Sequence, residues 1–258
     1  MPSLTIALIV KNEADNLQAC LESCAGLAQE IIVVDSGSTD DTVTIATQMG
    51  AKVIQNNHWQ GFGLHRRFAQ EQAGSDWIFW IDADERLTPE LKASIGQVVR
   101  ANSVDHAIYS VSRLSWVFGR YIRHSGWYPD RVLRLYRRQL TQYSDVQVHE
   151  SVIVPKDTKI LPLDGDLLHY TYRNLEHYLV KSARYASLWA KQRQAQGKRV
   201  SLTQGVLHGL GCFMRMYVLK AGFLDGKQGF LLAVLSAHST FAKYADLWVR
   251  YQPDSDDR

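Results

Sequence analysis

The sequence predicts an α/β protein. Residues 1–172 form a mostly parallel sheet with helices on both faces, and residues 173–258 form a helical, basic region. Three observations predict this. Four short apolar runs, Leu4–Val10, Ile31–Val34, Ala51–Ile54 and Asp76–Ile81, are each followed by a segment that reads as a helix. Strands that alternate with helices imply right-handed crossovers, and so parallel strands covered on both sides. The charge balance then changes: residues 173–250 carry 12 Lys and Arg against 3 Asp and Glu, whereas residues 1–172 carry 16 against 20.

Leu4–Val10 is continuously apolar, as a strand buried on both faces should be. It ends in Lys11-Asn12-Glu13, where Asn12 is suited to cap a helix with Leu17, Cys20, Leu21 and Cys24 on its inner face. The second strand ends in Asp35-Ser36-Gly37-Ser38-Thr39-Asp40-Asp41. Its glycine, hydroxyls and acids predict a tight turn into a helix over 39–49, with Asp40 and Asp41 complementing the helix dipole. The third strand leads through a loop over 55–63 to a helix over 64–73. After the fourth strand, Thr88-Pro89 opens a helix with Leu91, Ile95, Val98 and Val99 on one face. Ile108–Ser112 and Val132–Tyr136 read as further strands, separated by a loop rich in Trp, Tyr and Arg, residue types that suit sugar rings and phosphates.

Beyond Asn174, a helical cap, residues Leu175, Tyr178, Leu179, Ser182, Tyr185, Ala186 and Trp189 trace one helix face, and Gly197 is a stop. The stretch 206–224 is apolar but broken by Arg215 and Lys220. Asp225-Gly226-Lys227 is a turn, and Phe230–Trp248 resumes the helix. These segments are too charged to span a bilayer and apolar enough to lie in its interface, which predicts peripheral contact with an anionic membrane surface. The alternative is packing against the rest of the chain or a partner. No nucleic-acid-reading motif accompanies the positive charge. Three cysteines make no disulfide framework and suggest a reducing, cytoplasmic compartment. The N-terminus lacks the basic segment of a signal peptide.

Ligands on such sheets bind beyond the carboxyl ends of the strands. Three polar segments meet there: Lys11–Glu13, Asp35–Asp41 and Asp82-Ala83-Asp84. In a continuing strand Asp82 and Asp84 would point the same way, and two adjacent carboxylates repel unless a hard cation such as Mg²⁺ or Mn²⁺ joins them. Such an ion keeps positions open for phosphate oxygens. A lone D-x-D is also what an acidic helix-capping turn looks like, so the convergence of three strand ends carries the inference. The dinucleotide fingerprint G-x-G-x-x-G does not follow the first strand, and no G-x-x-x-x-G-K-[ST] occurs, which argues against dehydrogenase and P-loop classes.

The segments KNE, VVDSGSTDDT and WIDADE, in this order over about residues 4–100, resemble the family 2 glycosyltransferases, which have the nucleotide-sugar-binding GT-A fold. NHWQGFGLHRRFA, WYPDRVLRLYRR, VHESV and FLDGKQGFLLAVLSAHSTFAKYADLW are similar to the bacterial enzymes that add a β-glucose to a heptose of the lipopolysaccharide inner core. The resemblance implies a catalytic domain over 1–172, with a donor half to about 104 and an acceptor half over 105–172, and a membrane- or acceptor-associated region over 173–258. It implies that Asp35 binds uracil and Glu13 lines the base and ribose pocket. Arg66 or Arg67 contacts base or diphosphate, although the family's R-N is here Arg66-Arg67-Phe68. Asp82 serves ribose and metal, with Asp84 the more direct metal ligand. The donor would be a UDP-sugar, glucose first, and the acceptor the lipid A–core oligosaccharide at the inner face of the inner membrane.

Attack on the anomeric carbon opposite a departing diphosphate inverts that carbon and needs a carboxylate base. Among residues beyond the first hundred, Asp130 and Glu150 are candidates; the resemblance places the base at Glu150, with Asp130 second. His149 would orient Glu150 or touch phosphate. Arg131, Arg134, Arg137 and Arg138 form a basic cluster, with Arg131 and Arg137 on one strand face and the other two opposite. A polyprenyl-phosphate or exopolysaccharide sugar transferase of the same fold is an alternative reading. A non-catalytic membrane- or carbohydrate-binding protein is another.

Overall fold

The computed structural model describes residues 2–102, 107–145 and 150–252. His149 and the expected boundary near residue 104 lie outside the described residues. In chain order the elements are β1 (Leu4–Val10), α1 (Ala14–Cys24), β2 (Glu30–Asp35), α2 (Thr42–Gln48), β3 (Lys52–Gln55), α3 (Phe62–Glu71), β4 (Trp77–Trp80), β5 (Glu85–Leu87), α4 (Pro89–Ala101), β6 (Ala107–Val117), β7 (Arg120–Tyr121), β8 (Asp130–Arg137), β9 (Lys159–Tyr172), α5 (Leu175–Ala195), α6 (Leu202–Phe213) and α7 (Gly226–Val249). A π-helical turn, Met214–Leu219, and a 3₁₀ turn, Gly222–Asp225, separate α6 from α7.

The strands order as β3-β2-β1-β4-β8-β6-β9-β5, with β7 on β6. Pairing is parallel from β3 to β4. It turns antiparallel where β8 joins β4 and β6. The parallel block is the one that the strand–helix alternation predicted, and its two-residue period divides the apolar side chains cleanly. Leu4, Ile6, Leu8, Val33, Trp77 and Phe79 enter one core with α1 and α4. Ala7, Ile32, Val34, Ile78 and Trp80 enter a second core with Ala69 and Ala73. Helices therefore cover both faces.

Two local expectations change. Asn12 does not cap α1: it is left-handed, with φ 55°. Its Oδ1 instead accepts from Thr39 N at 2.8 Å, tying the end of β1 to the turn after β2. Helix α2 begins at Thr42 rather than 39, because Asp40 Oδ1 accepts from Thr42 N at 3.1 Å and holds the preceding residues in a turn. Its Oδ2 takes Ala14 N at 3.2 Å, so one carboxylate serves two helix starts.

The chain divides into two units: Met1–Leu114 with Asp130–His169, and Ser115–Pro129 with Tyr170–Arg258. In the second, Val117, Ile122, Tyr178, Met216, Leu232 and Ala233 form the core. Asn174 Oδ1 caps α5 through His177 N at 2.8 Å, and Gly197 stands just past the helix end at φ 68°. The buried Asp225 carboxylate accepts from His124 N at 2.9 Å and His124 Nδ1 at 3.0 Å. No helix among the described residues is long and apolar enough to cross a membrane.

Candidate active site

The first unit gathers its charged side chains beyond β4. The strand stops at Trp80, and Glu85 N donates to Asp82 O at 2.9 Å, closing a turn. Strand alternation therefore does not set the directions of Asp82 and Asp84, and the two carboxylates have different partners. Asp82 receives Arg66 Nη2 at 2.7 Å on one oxygen and Arg134 Nη2 at 2.8 Å on the other. Asp84 Oδ2 faces His169 Nε2 at 3.3 Å. Glu85 is fully buried; it accepts from Asp82 N at 2.9 Å and Arg134 Nη2 at 2.7 Å.

Arg66 is placed by α3. One turn further along this helix, Gln70 donates to the carbonyls of Arg138 and Thr141 at 2.7 and 2.6 Å and accepts from Tyr136 Oη at 3.0 Å. That buried polar chain fixes the register of α3. The Arg66 guanidinium then lies 5.2 Å from the Trp80 ring centre and 4.9 Å from that of Tyr143. Arg67 takes another course and donates Nε to Tyr143 O at 2.6 Å.

Arg134 owes its place to a β-bulge. Tyr109 pairs with Leu135 but Ser110 with Leu133, leaving Arg134 as the extra residue of β8. The bulge breaks the expected alternation; Arg134, Leu135 and Tyr136 are all buried, with Leu135 in one core and Tyr136 in the other. Of the other cluster members, Arg137 stacks over Trp77 at 5.0 Å and Arg138 Nε donates to Ser75 O at 2.9 Å. Arg131 stays exposed.

Arg66, Asp82, Arg113, Arg131, Arg134, Tyr143 and Glu150 line a cavity of about 380 Å³. Glu150 Oε1 stands 3.8 Å from Arg66 Nε, an ion pair too long for a hydrogen bond. Arg66 Nε and Nη1 and Arg134 Nε are buried with no hydrogen-bond partner. A buried guanidinium with free N–H groups is costly unless an anion completes it, so the geometry suits a phosphate or carboxylate ligand. Asp130 is not on the cavity wall; Arg113 grips its Oδ2 through Nε at 2.8 Å and Nη2 at 2.5 Å.

Electrostatics separate the two buried acids. Burial opposes ionisation of Asp82, but Arg134 and Arg66 outweigh it and hold the carboxyl far below the usual range. Burial dominates at Glu85, reinforced by Asp82 and Asp84, and pushes its carboxyl up despite Arg134.

The nucleotide-side candidates sit apart from this cavity. Asp35 is buried at the end of β2; its carboxylate accepts from Gly37 N at 3.1 Å and Ser38 Oγ at 2.5 Å. Glu13 Oε2 accepts from Asn16 Nδ2 at 2.8 Å. Asn12 N donates to Ser38 Oγ at 2.9 Å, which binds these two strand ends together. Among the described residues no group of three or more His, Cys, Asp or Glu side chains could hold a metal. Asp84 and His169 nonetheless form a carboxylate–imidazole pair, a donor set that fits a divalent ion whose other positions go to water and phosphate oxygens.

The glycosyl transferase family 2 model matches residues 5–154, the segment that carries every residue of the cavity. The chain belongs to this family. Lipopolysaccharide core biosynthesis glycosyltransferase LpsC of Rhizobium meliloti is 31% identical over 98% of this chain and 96% of its own. An uncharacterized glycosyltransferase of Rickettsia prowazekii is 30% identical over 96% of this chain and 87% of its own. A partial structural likeness, TM-score 0.36, joins it to the glucosyl-3-phosphoglycerate synthase of Mycobacterium tuberculosis in complex with Mn²⁺, UDP-glucose and phosphoglyceric acid, at 24% identity over 42% of this chain and 44% of that one. The chain is thus a family 2 glycosyltransferase on an α/β frame with the parallel block expected of it. Sequence reasoning missed three features of its site: the partnership of His169, the burial of Glu85 and the bulge at Arg134. β9, which carries His169, is masked in the sequence by Pro162 and Gly165, residues that normally argue against a strand interior.

Proposed function

We propose that this glycosyltransferase moves a hexose, glucose from UDP-glucose in the first instance, onto a heptose of a lipopolysaccharide inner core, with inversion at the anomeric carbon. The observation that carries the chemistry is the position of Glu150: a carboxylate on the wall of a cavity whose two buried guanidiniums retain unpaired N–H groups. The likeness to LpsC along nearly its whole length supports the class of acceptor.

In this reading Asp35 and Glu13 hold the uridine at the ends of β2 and β1, and Asp82 turns toward the ribose. Arg66 contacts the diphosphate, while Arg67 secures the Tyr143 segment beneath it. Asp84 and His169, with Asp82, would hold Mg²⁺ or Mn²⁺, and the ion when bound would neutralise charge on the departing diphosphate. Glu150 accepts the proton of the acceptor hydroxyl as its oxygen bonds to the anomeric carbon; the bond from that carbon to the diphosphate breaks and UDP departs. Asp130, neutralised by Arg113, is second choice as base. Residues 1–172 carry the catalysis, and 173–258 meet the lipid-borne acceptor at the cytoplasmic face of the inner membrane.

The test is UDP release across a panel of UDP-sugars, with Mg²⁺ or EDTA and lipopolysaccharide stripped to its inner core. Metal-dependent release with one donor, lost in Asp84→Ala and Glu150→Gln, supports the reading and identifies the sugar. Release that survives Glu150→Gln moves the base elsewhere. Release only with polyprenyl phosphate moves the acceptor. Absence of release and of donor binding by calorimetry sinks the enzyme reading.

A further inference from the structure

We infer that the hairpin tip formed by the end of α6, the bend over 214–225 and the start of α7 docks on the surface of a bilayer that contains anionic lipid. This deepens the proposed function and rests on it only in taking the acceptor to be lipid-borne.

Helix α6 presses its glycines inward: a Cβ on Gly205 would come within 2.9 Å of Tyr244 Cβ, and one on Gly209 within 3.1 Å of Ala237 O. That orientation turns the opposite face outward. Leu207, Leu210 and Met214 follow at helical spacing and are 63%, 59% and 51% exposed. Leu219 at 77% and Phe223 and Phe230 at about half continue the apolar surface around the bend. Ring contacts brace the tip: Phe213 lies 6.0 Å from Phe230, and Tyr217 lies 5.6 Å from Phe230 and 6.2 Å from Phe223. The rings thus brace one another at the tip, and the exposed apolar side chains recur along one stretch of chain, Leu207 to Phe230, rather than singly.

Charge selects the occupant. Between Glu176 and Asp246 the sole acidic residue is Asp225, and it is buried against His124. The exposed charges of the tip, Arg215, Lys220 and Lys227, are all positive. A second copy meeting this face by a twofold axis would bring these cations against their own images. Anionic headgroups neutralise them while the leucines and phenylalanines enter the acyl boundary, which is the pattern of an interfacial amphipathic segment. Since no described helix can cross a bilayer, the contact lies in the surface.

The test is co-sedimentation with phosphatidylcholine vesicles prepared with and without phosphatidylglycerol. The full-length protein should partition onto the anionic vesicles and be released by salt. The double variant Leu210→Asp/Leu219→Asp should lose roughly tenfold or more of that partitioning. Lys220→Glu/Lys227→Glu should lose about as much, on anionic vesicles only. Val180→Asp, on the exposed side of α5, should bind as the parent does, and circular dichroism should show all variants folded. No binding at low salt, or binding unchanged in Leu210→Asp/Leu219→Asp, overturns the inference. So does a dimer in sedimentation equilibrium that this double variant abolishes while vesicles go unbound. Transfer to a lipid-free core oligosaccharide keeps the two readings apart: it persists in the tip variants when docking alone is lost, and its absence in the parent protein counts against the enzyme reading instead.

Discussion

His169 Nε2 stands 3.3 Å from Asp84 Oδ2, and sheet pairing brings them together: β5 and β9 run antiparallel with Glu85 opposite His169. A carboxylate of the D-x-D motif and an imidazole from a distant strand thereby face one another beside Glu85.

If this pair holds the metal, His169→Ala should lower transfer on the order of 100-fold at limiting Mn²⁺, with part of the loss recovered at high metal concentration. Calorimetric titration of Mn²⁺ into the UDP-bound protein checks this directly. Unchanged metal affinity in His169→Ala would remove the imidazole from the site.

Glu85→Ala should be severely destabilising. Arg134 bonds to Glu85 and Asp82, and removal of the buried acid leaves a desolvated cation half-compensated, at a cost of about 3–5 kcal/mol. Glu85→Gln keeps a hydrogen-bond acceptor and should lose less. Urea unfolding of the three proteins measures the difference.

Asp82 makes stability depend on acid. Its folded pKa is depressed, so below the ordinary carboxylate value near 3.9 the unfolded chain takes up a proton that the folded chain refuses. The stabilisation is present above that value and is lost as pH falls toward the folded value. Glu85, with its raised pKa, acts in the opposite sense as pH climbs from its unfolded value through its folded one. The gap in unfolding free energy between the parent and Asp82→Asn should therefore shrink as pH falls below about 4, and denaturant titrations at several pH values would show it.

Arg66→Lys should separate charge from geometry. Lysine keeps the cation but loses the planar fork and the contact with Trp80 and Tyr143. UDP binding by calorimetry should weaken by about tenfold or more. Arg67→Lys, which touches the cavity only through Tyr143 O, should weaken UDP binding less than Arg66→Lys does.

Gly165→Ala should unfold the β9 region or sharply lower the melting temperature. Gly165 has φ 86°, and a Cβ there would fall 2.3 Å from Leu91 N. Strain and overlap together should cost about 2 kcal/mol or more, readable in a thermal melt.

Much of the first unit was legible in the chain. The strands β1 to β4, the inner face of α1 and the start of α4 at Thr88-Pro89 follow from patterns that repeat within a few residues, and such patterns survive without knowledge of the partner. The convergence of acids at strand ends was legible for the same reason: a parallel sheet sends every such turn to one edge. Asn12 shows the limit. Its sequence context fits a helix cap, yet Thr39, a residue of the neighbouring turn, takes its side chain.

The sequence by itself determined the strands β1 to β4 with the helices between them, their parallel character and the residues rich in chemistry. Tertiary structure alone decided who meets whom: Asp82 with Arg66 and Arg134, Asp84 with His169, Asp130 with Arg113, and Glu150 at the cavity wall. The physical reason is range. Periodicity and capping are settled by neighbours along the chain, whereas the partner of a buried charge depends on strand order and on one inserted residue at Arg134, which no local pattern encodes.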